Sequence, residues 1–193
     1  EKENQEPIFA ALKDGTIDMI ATDHAPHTPE EKTRNDIWAV DCGFPGVETQ
    51  MPTMLTAVNA GRMSICDYVL WSAFNPARVW GLYPRKGAIQ PGSDADLALV
   101  DLTREWTIDD ARIQSRSKIS PWHGRKVKGL PVHTIVRGRF VMRDRALVPA
   151  TKGWGRSVHA IQEMPAPDLR NPGKTMRAVT NGFRPSRSKE NAA

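Results

Sequence analysis

The run Ile17-Asp-Met-Ile-Ala21 is a short apolar stretch of strand length, interrupted only by Asp18, and it leads directly into Thr22-Asp-His-Ala-Pro-His27. Upstream, Pro7 to Lys13 predicts a helix with Ile8, Phe9 and Leu12 near one face, stopped by Asp14-Gly15. A helix, a tight Asp-Gly turn and a short buried strand form the rhythm of a parallel α/β protein. In such folds the reactive side chains collect at the C-terminal ends of the strands. Asp23 stands where that rule points, and residues 26–47, broken by Pro26, Pro29, Gly43, Pro45 and Gly46, predict a long loop able to line a site.

Asp23, His24 and His27 bring one carboxylate and two imidazoles into five positions. An ionised Asp can ligate a divalent metal or accept a proton, and His can ligate a metal or bind an anion. The same residues also suit a plainer role, with Asp23 and His24 capping a turn and His27 at the surface. They do not make a complete catalytic zinc site, which needs three or more protein ligands. His123, His133 and His159 lie far along the chain at no ligand-like spacing and read as structural or exposed. Nucleophile-elbow, phosphate-loop and dinucleotide-binding glycine motifs do not occur in the sequence.

Beyond the loop, Thr49 to Ala60 predicts a helix ended by Gly61, Ser64-Ile-Cys-Asp67 a capping box, and Asn75-Pro76 an N-cap with proline at the first helical position, giving three successive helices. The pattern changes near residue 82. Gly87 to Asp96 is turn chemistry, Leu97 to Val100 a strand, and Val132 to Met142 a β-hairpin turning at Arg137-Gly138, continued by Ala146 to Val148. From about Met164 onward Pro, Arg, Asn and Ser dominate, which predicts an irregular tail. Residues 1–110 carry 9 Lys+Arg against 18 Asp+Glu, and residues 111–193 carry 18 against 4. The basic residues are dispersed, so they predict a solvated or subunit-facing surface rather than a nucleic-acid interface. Cys42 and Cys66 lack metal or disulfide spacing, and neither a membrane span nor a signal peptide is evident; a reducing, cytoplasmic setting is expected.

Thr22-Asp-His-Ala-Pro-His27 with Thr28-Pro-Glu-Glu-Lys32 resembles the C-terminal signature of dihydroorotases, which are cyclic amidohydrolases of the amidohydrolase superfamily. Further blocks follow in family order: Gly43-Phe-Pro-Gly-Val-Glu48, Asn75-Pro-Ala-Arg78 with Gly81-Leu82, Lys86-Gly-x-Ile89-x-x-Gly92-Ser-Asp94-Ala-Asp96, Ser120-Pro-Trp-His-Gly124, Lys128-Gly-x-Pro131, Val136-Arg-Gly138 and Gly153-Trp-Gly-Arg156. The resemblance covers about residues 5–160.

It implies an α/β fold: residues 1–80 as the last units of a (β/α)₈ TIM-type metallo-hydrolase barrel with Ile17–Thr22 as its eighth strand, and residues 82–150 as the C-terminal share of a small β-sandwich. Residues 151–193 form a basic, Pro-rich tail. The chain then amounts to about the last two-fifths of such an enzyme, inactive alone and prone to aggregate without the missing barrel portion. The resemblance further implies a divalent-metal centre, binuclear zinc, with Asp23 as one ligand and most ligands outside this chain. Asp23 would also carry a proton from the attacking water to the leaving nitrogen. His27 would receive the substrate's carboxylate, and Pro45 and Gly46 would offer backbone groups to a small cyclic amide. His27 favours dihydroorotate, whereas Gly43-Phe-Pro-Gly46 also resembles hydantoinase loops; hydantoinase or allantoinase activity, or a non-catalytic assembly scaffold, are the alternatives. A homo-oligomer without membrane or nucleic-acid partners is expected. Asp144-Arg145 departs from the family's Asp-Gly turn.

Overall fold

Gly15 adopts the left-handed conformation (φ 82°) that closes helix α1, Gln5–Asp14, and the Asp14 carboxylate accepts the Thr16 N–H at 2.9 Å. The computed structural model describes residues 4–159. Helix α1 belongs to one unit with the chain's first 18 residues; the described residues from Met19 on form another.

The expected strand Ile17–Thr22 is corrected: it carries no ladder among the described residues. A parallel strand is held by neighbours from other βα units, and the described residues include none. Ile17 N–H donates back to the Ala11 carbonyl at 2.9 Å, Ile20 N–H donates to the Trp71 carbonyl at 3.0 Å, and an isolated parallel bridge joins His24 and Phe44 just beyond the segment.

A four-residue helical turn, α2, Pro29–Lys32, interrupts the loop. After the loop two helical stretches stand where three were expected. The first, α3, is Val47–Asn59. The second is a continuous rod: α4, Ile65–Val69, passes through a π-helical turn, Leu70–Phe74, into α5, Asn75–Val79. Ser64 and Asp67 make the predicted capping box. Asn75, expected to be an N-cap, is instead inside the rod with helical backbone (φ −61°, ψ −46°), because the π turn carries the helix through it and its N–H bonds the Leu70 carbonyl. The expected helix at Asn75 is thus the rod's last turn. Gly81, left-handed at φ 65°, stops the rod as expected.

The β part is a four-stranded antiparallel meander in the order β1-β2-β3-β4: Leu97–Thr107, Lys126–Val136, Arg139–Arg143 and Ala146–Leu147. Leu97 pairs with Ile135 and Thr107 with Lys126, with a bulge between Asp101 and Glu105. The predicted turns at Arg137-Gly138 and Asp144-Arg145 both have positive φ at both residues. A second sheet, as a complete sandwich would need, is not among the described residues. Leu55, Ile108, Ile113 and Leu130 are fully buried and, with Val127, mark the core.

Helix α3 is seated on the sheet at Gly129. A Cβ there would lie 2.6 Å from the Leu55 Cβ, and φ is 97°, so only glycine allows the approach. Polar ties surround it. Lys128 N–H donates to Thr56 Oγ1 at 2.8 Å, and Asn59 Nδ2 donates to the carbonyls of Leu102 and Lys128 at 3.0 and 3.1 Å. The Glu48 carboxylate accepts the Gln114 and Ser115 N–H groups. Met164 and the Pro/Arg-rich tail lie outside the described residues. No helix among the described residues is long and apolar enough to cross a membrane.

Candidate active site

Asp23 sits at φ 45°, in the left-handed region, at the end of the segment that Trp71 anchors. In the π turn the Asn75 N–H goes to Leu70, and the i+5 partner of the Trp71 carbonyl would be Pro76, which has no N–H, so that carbonyl is left to accept from Ile20. Asp tolerates left-handed backbone better than most residues, but the conformation still carries strain of the kind found at functional sites. The side chain is exposed, and its carboxylate has no hydrogen-bond or ion-pair partner among the described residues.

The next residue does the holding. His24 Nδ1 accepts the N–H groups of Gly46 at 3.0 Å and Val47 at 3.3 Å, so the imidazole caps the start of α3 and carries its proton at Nε2. Helix α3 otherwise has no side-chain cap. The contact is close. Ala25 N–H donates to the Phe44 carbonyl at 3.1 Å, and a Cβ on Gly46 would lie 2.8 Å from the Thr22 carbonyl oxygen. Gly43, at φ 112°, leaves room for Ala25 in the same way. Residues 22–25 and 43–47 therefore form one interlocked corner.

The structure thus brings Asp23 together with Pro45 and Gly46. Pro45 is buried, and Gly46 spends both backbone groups inside the protein, its N–H on His24 and its carbonyl on Thr49 and Gln50. His27 lies further along the loop, half-buried, with Nδ1 3.4 Å from Glu31 Oε2. Glu31 and Thr28 form a capping box for α2: Thr28 N–H donates to Glu31 Oε2 at 2.8 Å and Glu31 N–H to Thr28 Oγ1. That bond from Thr28 is the chief reason the Glu31 carboxyl lies below its ordinary value, with the charge of His27 adding to it. Asp41 closes the group. It takes Arg34 at 3.4 Å, while its carbonyl accepts from Lys32 Nζ at 2.6 Å.

His27, Glu31 and Asp41 place ligand atoms within 4.8 Å of one another, and they are the only such group among the described residues. Asp23 is not in it. For a divalent metal, the donor set at the Asp23 corner is therefore a single free carboxylate. It fits as one ligand of a centre whose other ligands come from elsewhere.

His123 and His133 are structural, as expected: their Nδ1 atoms accept the Asp110 and Asp144 N–H groups. His159 is exposed. Cys42 and Cys66 are both free and exposed. Glu31 and Asp41 escaped the sequence reading as site residues, although Glu31 was signalled by the Thr28-x-x-Glu31 capping-box pattern. His24 was read as chemistry-bearing or as a cap of the turn that follows it; that it caps α3 instead had no signal, because its partners lie 22 and 23 residues away.

Residues 1–141 match the model of the amidohydrolase family. The chain belongs to that family. Among its amidohydrolase relatives, an L-hydantoinase from Paenarthrobacter aurescens is 39% identical over 154 residues, covering 78% of this chain and 33% of that protein. A dihydroorotase from Pelotomaculum thermopropionicum is 45% identical over 142 residues, covering 72% of this chain and 32% of that protein. Among solved structures, the dihydropyrimidinase of Brevibacillus agri superposes with a TM-score of 0.73 at 31% identity over 77% of this chain and 33% of that one. The chain spans about a third of the length of these amidohydrolases.

Proposed function

We propose that this chain is the C-terminal part of a metal-dependent cyclic amidohydrolase of the dihydroorotase type, interconverting dihydroorotate and N-carbamoyl-aspartate. In this reading residues 1–80 are the last units of a TIM-type barrel and residues 82–150 a share of a sandwich domain. The rest of the protein supplies most ligands of a binuclear zinc centre, and the assembly is a cytoplasmic homo-oligomer.

The observation that carries the reading is the Asp23 corner: an exposed carboxylate with no partner among the described residues, held at left-handed backbone beside His24, Gly46 and the Trp71 carbonyl. An accessible carboxylate on so fixed a backbone is placed to take a metal or a proton. Asp23 would be one ligand of the metal centre, which when bound lowers the pKa of water and polarises the amide carbonyl. Asp23 takes a proton from the attacking water. As the water oxygen bonds to the carbonyl carbon and the C–N bond breaks, it returns that proton to the leaving nitrogen. His27, on the loop that follows, binds the substrate's carboxylate. The Gly46 N–H and carbonyl are spent on His24 and α3 and proline has no N–H, so the backbone group this pair would have left for the cyclic amide is the Pro45 carbonyl, on a residue buried in the described structure.

The test is Asp23→Ala in the full-length protein: turnover of dihydroorotate should fall by at least about 10³-fold while the protein still folds, its stability lower by no more than about 1–2 kcal/mol because Ala tolerates left-handed backbone less well than Asp, and normal activity in that variant would refute the assignment. A hydantoinase-type specificity is the second reading, favoured by the similarity to the L-hydantoinase and by Gly43-Phe-Pro-Gly46. Faster turnover of hydantoin than of dihydroorotate would establish it.

A further inference from the structure

Helix α2 is a single turn, Pro29–Lys32, yet its Glu31 takes part in two interactions through one oxygen. Oε2 accepts the Thr28 N–H at 2.8 Å and lies 3.4 Å from His27 Nδ1. The cap accounts for the first contact only. The second orients a ring that the proposed reaction needs. A carboxylate cannot donate, so the ring nitrogen facing Glu31 must carry a hydrogen. An anion reaching the other nitrogen also needs an N–H there. Both demands are met only by a ring that donates from both nitrogens, the form selected when an acceptor faces each of them. Asp41, the other acid of the group, is already engaged by Arg34 and, through its carbonyl, by Lys32.

We propose that Glu31 is a positioning residue for His27: it holds Nδ1 and so presents Nε2–H as the charged donor to an anionic group of the substrate. This rests on the reading of His27 as the residue that receives the substrate's carboxylate. Glu31 touches no reacting atom; it acts through His27.

Glu31→Gln in the full-length protein separates the two jobs of the residue, because Gln serves at the third position of a capping box as well as Glu does. The KM for dihydroorotate should rise on the order of tenfold, the loss of one charge-assisted contact, with kcat changed by about twofold or less. The KM for the neutral ring hydantoin should not move. With dihydroorotate bound, ¹⁵N signals of the His27 ring should show both nitrogens protonated in the wild type and one in the variant. An unchanged KM for dihydroorotate in Glu31→Gln would overturn the proposal and leave Glu31 a cap. An equal rise in Thr28→Val, which removes the other half of the box and spares the Glu31 charge, would overturn it too. His27→Asn guards the underlying reading. If it raises the KM while Glu31→Gln is silent, only the positioning role falls. If it leaves the KM unchanged, His27 does not bind the carboxylate, and the proposal falls with that reading.

Discussion

At Asp23 stability and activity pull in opposite directions. Leaving the left-handed region relieves about 1–2 kcal/mol for an ordinary residue and less for Asp, while glycine costs about 0.5–1 kcal/mol through the unfolded chain. Asp23→Gly should therefore leave stability unchanged or raise it by up to about 1 kcal/mol in urea unfolding, while turnover is lost. A marked loss of stability would show that the carboxylate is structural after all. His24→Ala should lower stability by about 1 kcal/mol through the lost cap of α3, and His24→Asn, which keeps an acceptor, should recover part of it. Asp23 and His27 were legible in the sequence as chemistry-bearing residues because their types and spacing are local. The capping role of His24 was not, since it depends on where residues 43–47 return to the chain.

Among the elements, α3 and the sheet meet through a glycine. Gly129→Ala would bring a Cβ to 2.6 Å from the Leu55 Cβ at φ 97°, with Asn59 Nδ2 also 3.3 Å away. It should cost about 2–4 kcal/mol by overpacking plus backbone strain, read by chemical denaturation. The Lys86–Asp94–Asp96 block ties its turn to the hairpin differently. Lys86 Nζ lies 2.8 Å from Asp94 and also bonds Asp96, Arg85 lies 3.0 Å from Asp94, and Asp96 Oδ1 accepts the Arg137 N–H at 2.7 Å. The bond from Lys86, then that from Arg85, holds the Asp94 carboxyl below its ordinary 3.8. Partial burial pushes Lys86 down, but its bonds to the two carboxylates outweigh that and leave it above 10.5. Asp94 therefore contributes stability that is present above pH 3.8 and lost as pH falls through its lower folded value. Lys86 contributes stability that is full below pH 10.5 and lost as pH rises through its higher folded value. Asp94→Asn should flatten the acid arm of a Tm-against-pH curve, and Lys86→Met the alkaline arm. Helices and hairpin turns were legible because caps, Gly and Pro are local signals. The fusion of α4 and α5 through a π turn was not, because Asn75-Pro76 is equally consistent with a helix start and with a proline carried inside the last turn of a rod.

For the molecule as a whole, the sequence marks the amidohydrolase family across most of the chain, and the chain matches about a third of its relatives' length. The physical consequence lies in the sheet. Among the described residues strand β1 is an edge; its second half is blunted by a register shift and by Asp101, Arg104 and Glu105, but its first four residues, Leu97 to Val100, are uncharged, with Leu99 and Val100 41% and 36% exposed. The other edge, β4, has only two residues. An uncharged apolar edge segment pairs readily with another chain, and proteins blunt such edges with charge. The 193-residue chain alone should therefore self-associate at micromolar concentration. Sedimentation velocity should show large species, and Leu99→Lys with Val100→Lys should shift them toward monomer. A monodisperse monomer before substitution would show that β1 is not sticky. The isolated chain should also show no cyclic-amide turnover and bind no stoichiometric tight zinc: Asp23 offers one ligand where a catalytic zinc takes three or more, and His27, Glu31 and Asp41, which could gather three, are engaged with one another, with the Thr28 N–H and with Arg34. Adding the complementary N-terminal segment should restore turnover and, by covering β1, reduce self-association in the same samples. Restored turnover with undiminished association would separate the two and place the sticky edge outside the interface that completes the site.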